Sequence, residues 1–202
     1  MSNYSSGKMG YAIAMAAKAK GAYVELISGP VALNLIPDIK TTYVETSSEM
    51  YEAVKEKVPE YDMFISTAAI ADYKPANYSD TKYKKNENNI NIEFTRGIDI
   101  LETISNKHKN LFTIGFAAET NSLNKNAKEK LKKKNLDIIV GNIANHQLKL
   151  GFESDYNEVI IFSNTNSKKF DHDKKSNIAN SILDFISEEY SKKLNLVKKN
   201  AK

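Results

Sequence analysis

Apolar residues along the chain alternate between short, nearly continuous runs and longer segments with a helical repeat. Ala22–Ser28 (AYVELIS), Asp137–Gly141 (DIIVG) and Glu158–Phe162 (EVIIF) read as strands, Thr42–Val44 as a short one, and Asp62–Thr67 (DMFIST) and Leu111–Phe116 (LFTIGF) as buried ones. Ile90–Thr95 (INIEFT) alternates as a half-exposed strand does. Between them lie a small-residue helix from Tyr11 to Lys20 and a helix capped by Ser47-Ser48 that runs to about Val58. Asp99–Lys107 and the strongly charged Asn124–Lys134 are two more. Ser176–Tyr190 is amphipathic, with Ile178, Ile182, Phe185 and Ile186 on one face. Asp72 to Asn89 is a polar excursion. Strands alternating with helices at this spacing predict one three-layer, Rossmann-like α/β domain with a mostly parallel central sheet, spanning residues 1–190. Residues 191–202 read as a basic tail.

Composition narrows the chemistry. The 202 residues are 41% hydrophobic and 27% charged, the profile of a soluble globular chain. With no cysteine, disulfides, thiol nucleophiles and Cys-ligated metals are excluded. His108, His146 and His172 show no ligand spacing, so no metal site is expected. No run reaches membrane-spanning length and no signal peptide opens the chain, which fits a cytoplasmic setting. The net charge of +4 is spread over Lys-rich helix faces, without the aromatic-interleaved patch that nucleic acid requires.

The stretch Asn3-Tyr4-Ser5-Ser6-Gly7-Lys8-Met9-Gly10 carries the first candidate chemistry. A polar loop entering a helix offers free N–H groups and a positive dipole end to an anion, although spacing alone slightly favours an ordinary capped helix start. It is neither GxGxxG nor GxxxxGK[ST]. Small or polar segments follow several strands (Gly29-Pro30, Ala68–Tyr73, Gly115–Thr120, Asn142–Asn145), and in this architecture all meet at one rim. Asp72 at that rim suits ribose hydroxyls or a metal-bound water. Phe116 suits the face of a base or plain core. Lys130 and Lys134, four apart on a helix, could grip a polyphosphate together; by spacing alone they and Lys82 read as solvated surface.

Taken in order, these segments resemble the phosphopantothenoylcysteine synthetase domain, the C-terminal half of the bifunctional bacterial coenzyme A biosynthesis flavoprotein. The resemblance rests on NYSSGKMG (3–10), GAYVELISGPVAL (21–33), AAIADYKP (68–75), KYKK (82–85), GFAAET (115–120), KLKKKNLDIIV (130–140) and GFESDYNEV (151–159). It implies a cytoplasmic ligase in which 4′-phosphopantothenate attacks the α-phosphate of CTP and cysteine then displaces CMP. Mg²⁺ accompanies the triphosphate, and no FMN is expected in this chain. The resemblance implies Asn3 and Lys82 as catalytic residues. It implies Asp72, Lys82, Ile98, Asp99, Ile100, Leu101, Phe116, Lys130 and Lys134 as nucleotide-binding ones. It also implies a homodimer, and leaves the flavin-dependent decarboxylase as a separate partner.

Two departures accompany it. Gly97-Ile98-Asp99-Ile100 stands where the family commonly has Asn-Pro-Asp-Ile. The strand and Gly-rich turn that precede the Asn-x-Ser-Ser-Gly motif in the family are not in this sequence, which predicts unpaired sheet edges. The alternative reading is a truncated, non-catalytic nucleotide-binding remnant, or one subunit of a split enzyme. A Rossmann-type oxidoreductase is disfavoured because no strand–GxGxxG–helix unit exists.

Overall fold

The computed structural model describes residues 5–77, 91–119, 123–143 and 154–200. Helix α1 spans Lys8–Ala19 and leads to β1 (Glu25–Ser28) and β2 (Lys40–Tyr43), which pair in parallel. Helix α2 (Ser47–Lys57) ends in a 3₁₀ turn, Val58–Glu60, and β3 follows at Met63–Ser66. Strands β4 (Tyr73–Pro75) and β5 (Phe94–Arg96) form a small antiparallel ribbon. The remaining elements are α3 (Ile100–Lys107), β6 (Phe112–Glu119), α4 (Leu123–Lys133), β7 (Ile138–Ile143), β8 (Tyr156–Ser163), β9 (Ser167–Lys174) and α5 (Lys175–Asn200). The main sheet has the order β3-β6-β7-β8-β9, parallel from β3 to β7 and antiparallel from β7 to β9.

Period-two alternation gives the sheet two apolar faces. Ile138, Val140, Val159 and Ile161 point to one side, where α1 and α5 cover them with Ile13, Ala16, Ile178, Ile182 and Ile186. Ile139 and Phe162 point to the other side, against Leu101, Ala127 and Leu131 of α3 and α4. A third cluster joins Val54 and Val58 to Ile100 and Ile104. The expected α/β architecture with helices on both faces is what forms.

Several local readings change. The cap of α2 is Thr46, whose Oγ1 accepts from the Glu49 N–H at 3.1 Å, and not Ser47-Ser48. β4 begins where only a polar excursion is expected. β9 is not expected at all: its sequence SKKFDHDK is almost wholly exposed, the composition of a charged edge strand. Helix α5 continues through 191–200 where a frayed tail is expected, and Lys193 holds it to the body. Its Nζ lies 2.6 Å from Asp137 Oδ1 and 5.3 Å from the centre of the Phe112 ring. Among the described residues no helix is long and apolar enough to cross a membrane.

Candidate functional site

A cavity of about 700 Å³ opens at the rim where strands β1, β3 and β6 end and α1 begins. Loop 5–7, residues 28–31, residues 66–75, Phe116 and Asn142 all reach it, so the segments expected to converge do converge. The N-terminus of α1 forms one wall. Its N-cap is Gly7, at φ 75° and ψ −12°, and no side chain caps the helix. Glycine is needed there on two counts: the conformation is left-handed, and a Cβ would sit 2.8 Å from Val31 Cγ1. The first-turn N–H groups thus face the cavity without a side-chain cap, as an anion would require.

The opposite wall is the start of α3. Asp99 caps that helix, its Oδ1 accepting from the Glu102 N–H at 3.0 Å. Its Oδ2 meets Lys134 Nζ at 2.7 Å, which ties the end of α4 to the start of α3. Burial pushes the Asp99 carboxyl up, but Lys134, the Glu102 N–H and the Arg96 guanidinium together hold it below the usual range. Ser105 Oγ donates to the Lys134 carbonyl at 2.5 Å and fixes the same corner. Ile100 and Leu101 turn their side chains into the core, at 3% and 9% exposure, so these two positions can address a ligand only through their backbone. Ile98 is exposed at the rim.

Asp72, Phe116, Lys130, Asp99 and Lys134 therefore share one cavity with Ile98, Ile100 and Leu101. Asn3 and Lys82 lie outside the described residues. Four further side chains in the lining are not among the residues singled out from the sequence as site residues, although Lys8 and Asn157 lie within the matched stretches 3–10 and 151–159. Lys8 pairs with Asp155 at 2.6 Å. Lys175, the first residue of α5, is only 5% exposed, and burial depresses its ammonium; Lys8 pushes the same way and Asp155 opposes. Buried Asn157 directs Nδ2 at Met9 Sδ, 3.9 Å away. Arg96, the last residue of β5, also lines the cavity. Among the described residues the lining holds six basic side chains (Lys8, Lys74, Arg96, Lys130, Lys134, Lys175) against three acidic ones (Glu45, Asp72, Asp99). Such a cavity favours a polyanion. Among the described residues no cluster of three or more His, Asp or Glu could cage a metal ion.

Comparison with known proteins places this geometry. The chain is 38% identical over 186 residues to the Coenzyme A biosynthesis bifunctional protein CoaBC of Vibrio vulnificus, covering 91% of this chain and 46% of that one. It spans about half the length of the curated relatives it matches. The solved C-terminal domain of a coenzyme A biosynthesis bifunctional protein CoaBC superposes with a TM-score of 0.80 at 35% identity, covering 95% of this chain and 87% of that one. A Cab2 variant in complex with phosphopantothenate-cysteine shares the fold, at TM-score 0.72 and 15% identity, over 98% of this chain and 82% of its own. A family model described as the DNA/pantothenate metabolism flavoprotein C-terminal domain matches residues 1–190, and the chain belongs to that family.

Proposed function

We propose that this chain is a phosphopantothenate–cysteine ligase domain of coenzyme A biosynthesis, using CTP and acting in the cytoplasm as a homodimer. The observation that carries the reading is a basic cavity at an uncapped helix N-terminus, in a chain 38% identical to a coenzyme A biosynthesis protein. A carboxylate oxygen of 4′-phosphopantothenate attacks the α-phosphorus of CTP, the bond to the β-phosphate bridging oxygen breaks, and pyrophosphate leaves. The amine of cysteine then attacks the acyl carbon, CMP departs, and the amine loses a proton as the amide forms. No covalent enzyme nucleophile is needed, so the protein contributes position and charge.

Within this reading the α1 N–H groups, Lys8, Lys130 and Lys175 hold phosphate oxygens. Lys134 reaches the triphosphate only by sharing itself with Asp99. The backbone of Ile100 and Leu101 faces the base, and Phe116 flanks it. Lys82 offsets charge on the α-phosphate, and Asn3 supports the acyl-cytidylate. Mg²⁺ would accompany the triphosphate, neutralising its charge, with Asp72 in the lining as a carboxylate that could meet it.

The test is direct. Purified chain with CTP, 4′-phosphopantothenate, cysteine and Mg²⁺ is expected to release pyrophosphate and form the amide product, read by mass spectrometry. CTP binding without pyrophosphate release would replace the ligase by a nucleotide-binding remnant or one subunit of a split enzyme. A competition between CTP and ATP decides the nucleotide, and sedimentation decides the dimer.

A further inference from the structure

Helices α1 and α5 lie side by side and start at the same end of the sheet. Near the end of α1, Lys20 Nζ meets Asp184 Oδ1 at 2.6 Å. At the other end Asp155 joins both starts: its carbonyl accepts the Lys175 N–H at 2.8 Å, and its Oδ1 meets Lys8 Nζ at 2.6 Å. Neither helix has an acidic residue in its first turn. With its backbone held in this way, Lys175 joins the cavity lining and is still buried. Lys134 is placed differently, on the side of the sheet covered by α3 and α4, with its ammonium committed to Asp99 at 2.7 Å.

Among the described residues the charged groups that act on Lys175 are Lys8 of α1 and Asp155 ahead of β8. Its neighbours in β9, Asp173 and Lys174, are exposed, and Asp173 Oδ1 accepts from Asn177 Nδ2 at 3.0 Å. Burial and then Lys8 depress the Lys175 ammonium, and Asp155 opposes them. A phosphate beside it favours the ammonium; its departure favours the amine. The second half of the ligase reaction calls for such a group, because cysteine arrives as an ammonium and cannot attack until it loses a proton. Among the described residues the lining holds no histidine. Asp99 is engaged by Lys134 and the Glu102 N–H, and Glu45 and Asp72 are exposed carboxylates, too weakly basic for the task near neutral pH. Lys175 is the buried amine of that lining.

We propose that Lys175 is a further catalytic residue, which carries a proton between the two half-reactions. As the bond to the β-phosphate bridging oxygen breaks, its ammonium meets the departing pyrophosphate and passes it a proton. The neutral amine left behind takes a proton from the cysteine ammonium. The cysteine amine then attacks the acyl carbon, the C–O bond to CMP breaks, and the second proton of the attacking nitrogen leaves with the CMP phosphate. Lys175 is an ammonium again, ready for the next triphosphate. Buried Asn157, whose Nδ2 has Met9 Sδ as its acceptor at 3.9 Å, offers a stronger bond to the same phosphate oxygens. This role rests on the ligase function proposed for the chain.

The test separates the two steps and two nucleophiles. Pyrophosphate release from CTP and 4′-phosphopantothenate is followed first, then CMP release on addition of cysteine or of hydroxylamine, which arrives neutral at neutral pH. Lys175→Arg keeps the charge but cannot act as a base. It is expected to slow CMP release by cysteine about a hundredfold, against about threefold at most for pyrophosphate release and for CMP release by hydroxylamine. Raising the pH until cysteine arrives neutral should recover most of the loss. Equal losses with both nucleophiles would make Lys175 a phosphate ligand alone and overturn the proposal. A second readout needs neither turnover nor a variant. In wild-type chain isotope-labelled at its lysines, inorganic pyrophosphate is expected to raise the titration midpoint of Lys175 by about one pH unit or more, followed by NMR. A midpoint that stays in place would overturn the proposal. A wild type that shows this rise yet releases no pyrophosphate from CTP would overturn the ligase function itself, so the two failures are distinct.

Discussion

Lys175 is a buried ammonium that faces both a like charge and an opposite one. A buried ammonium beside the ammonium of Lys8 is a cost, partly offset by Asp155, and its depressed titration expresses that cost. With a folded pKa below the unfolded one, stability rises as pH climbs through that window, the opposite of a stabilising lysine. Lys175→Met is expected to remove the rise of stability with pH through that window, read as unfolding midpoints of wild type and variant across the alkaline range. It is also expected to weaken CTP binding about tenfold, since a charge-assisted bond to phosphate is lost. Differential scanning fluorimetry and calorimetric titration of one preparation check both; a destabilised variant with unchanged affinity would assign Lys175 to the fold. Lys134 is the converse case. Its partner Asp99 is held below the usual carboxylate range, so the pair adds stability above pH 4 that fades as Asp99 protonates. Lys134→Met should cost about 1 kcal/mol at pH 7 for this partly exposed pair. The gap between wild type and variant in urea unfolding should close as pH falls below about 4.

At the scale of elements, β6 and α3 meet at Gly115. A Cβ there would lie 2.6 Å from Leu101 Cδ2 and 3.0 Å from Leu136 Cδ1, so the glycine lets the first turn of α3 lie close on the sheet. Gly115→Ala is expected to destabilise by about 1–3 kcal/mol through overpacking, measured by urea unfolding. It should also lower CTP affinity, because the turn that carries Asp99 and the Ile100 and Leu101 amides is pushed off its seat. What was legible in the sequence follows the same division. Ile138 to Val140 and Val159 to Phe162 announce their strands because packing on both faces demands apolar side chains at every position. β9 stays hidden because an exposed edge places no such demand, and β4 because three residues carry too little pattern. The site shows the same contrast. Lys130 and Lys134 stand out from their lysine neighbours by resemblance alone, and nothing local marks Arg96 or Lys175, which tertiary structure draws from β5 and α5 into one cavity with Lys8 of α1.

For the whole molecule, the net charge of +4 is less informative than its placement. Among the described residues six basic and three acidic side chains share the cavity, so the local field favours ligands in proportion to their negative charge, and salt should weaken that preference. Between 50 and 500 mM KCl the Debye length falls from about 14 to about 4 Å, shorter than the breadth of a cavity that spans α1 to α4. Affinity for CTP is thus expected to drop about tenfold across that range, and affinity for CMP, with two fewer phosphates, by a threefold change or less. Replacing Lys130 by Met should flatten the CTP dependence more than that of CMP, because Lys130 is proposed to hold phosphate oxygens of the triphosphate. Parallel salt dependences for CTP and CMP would mean that the basic lining does not act on the triphosphate. The helix lysines would then return to the solvated surface that their spacing alone suggests.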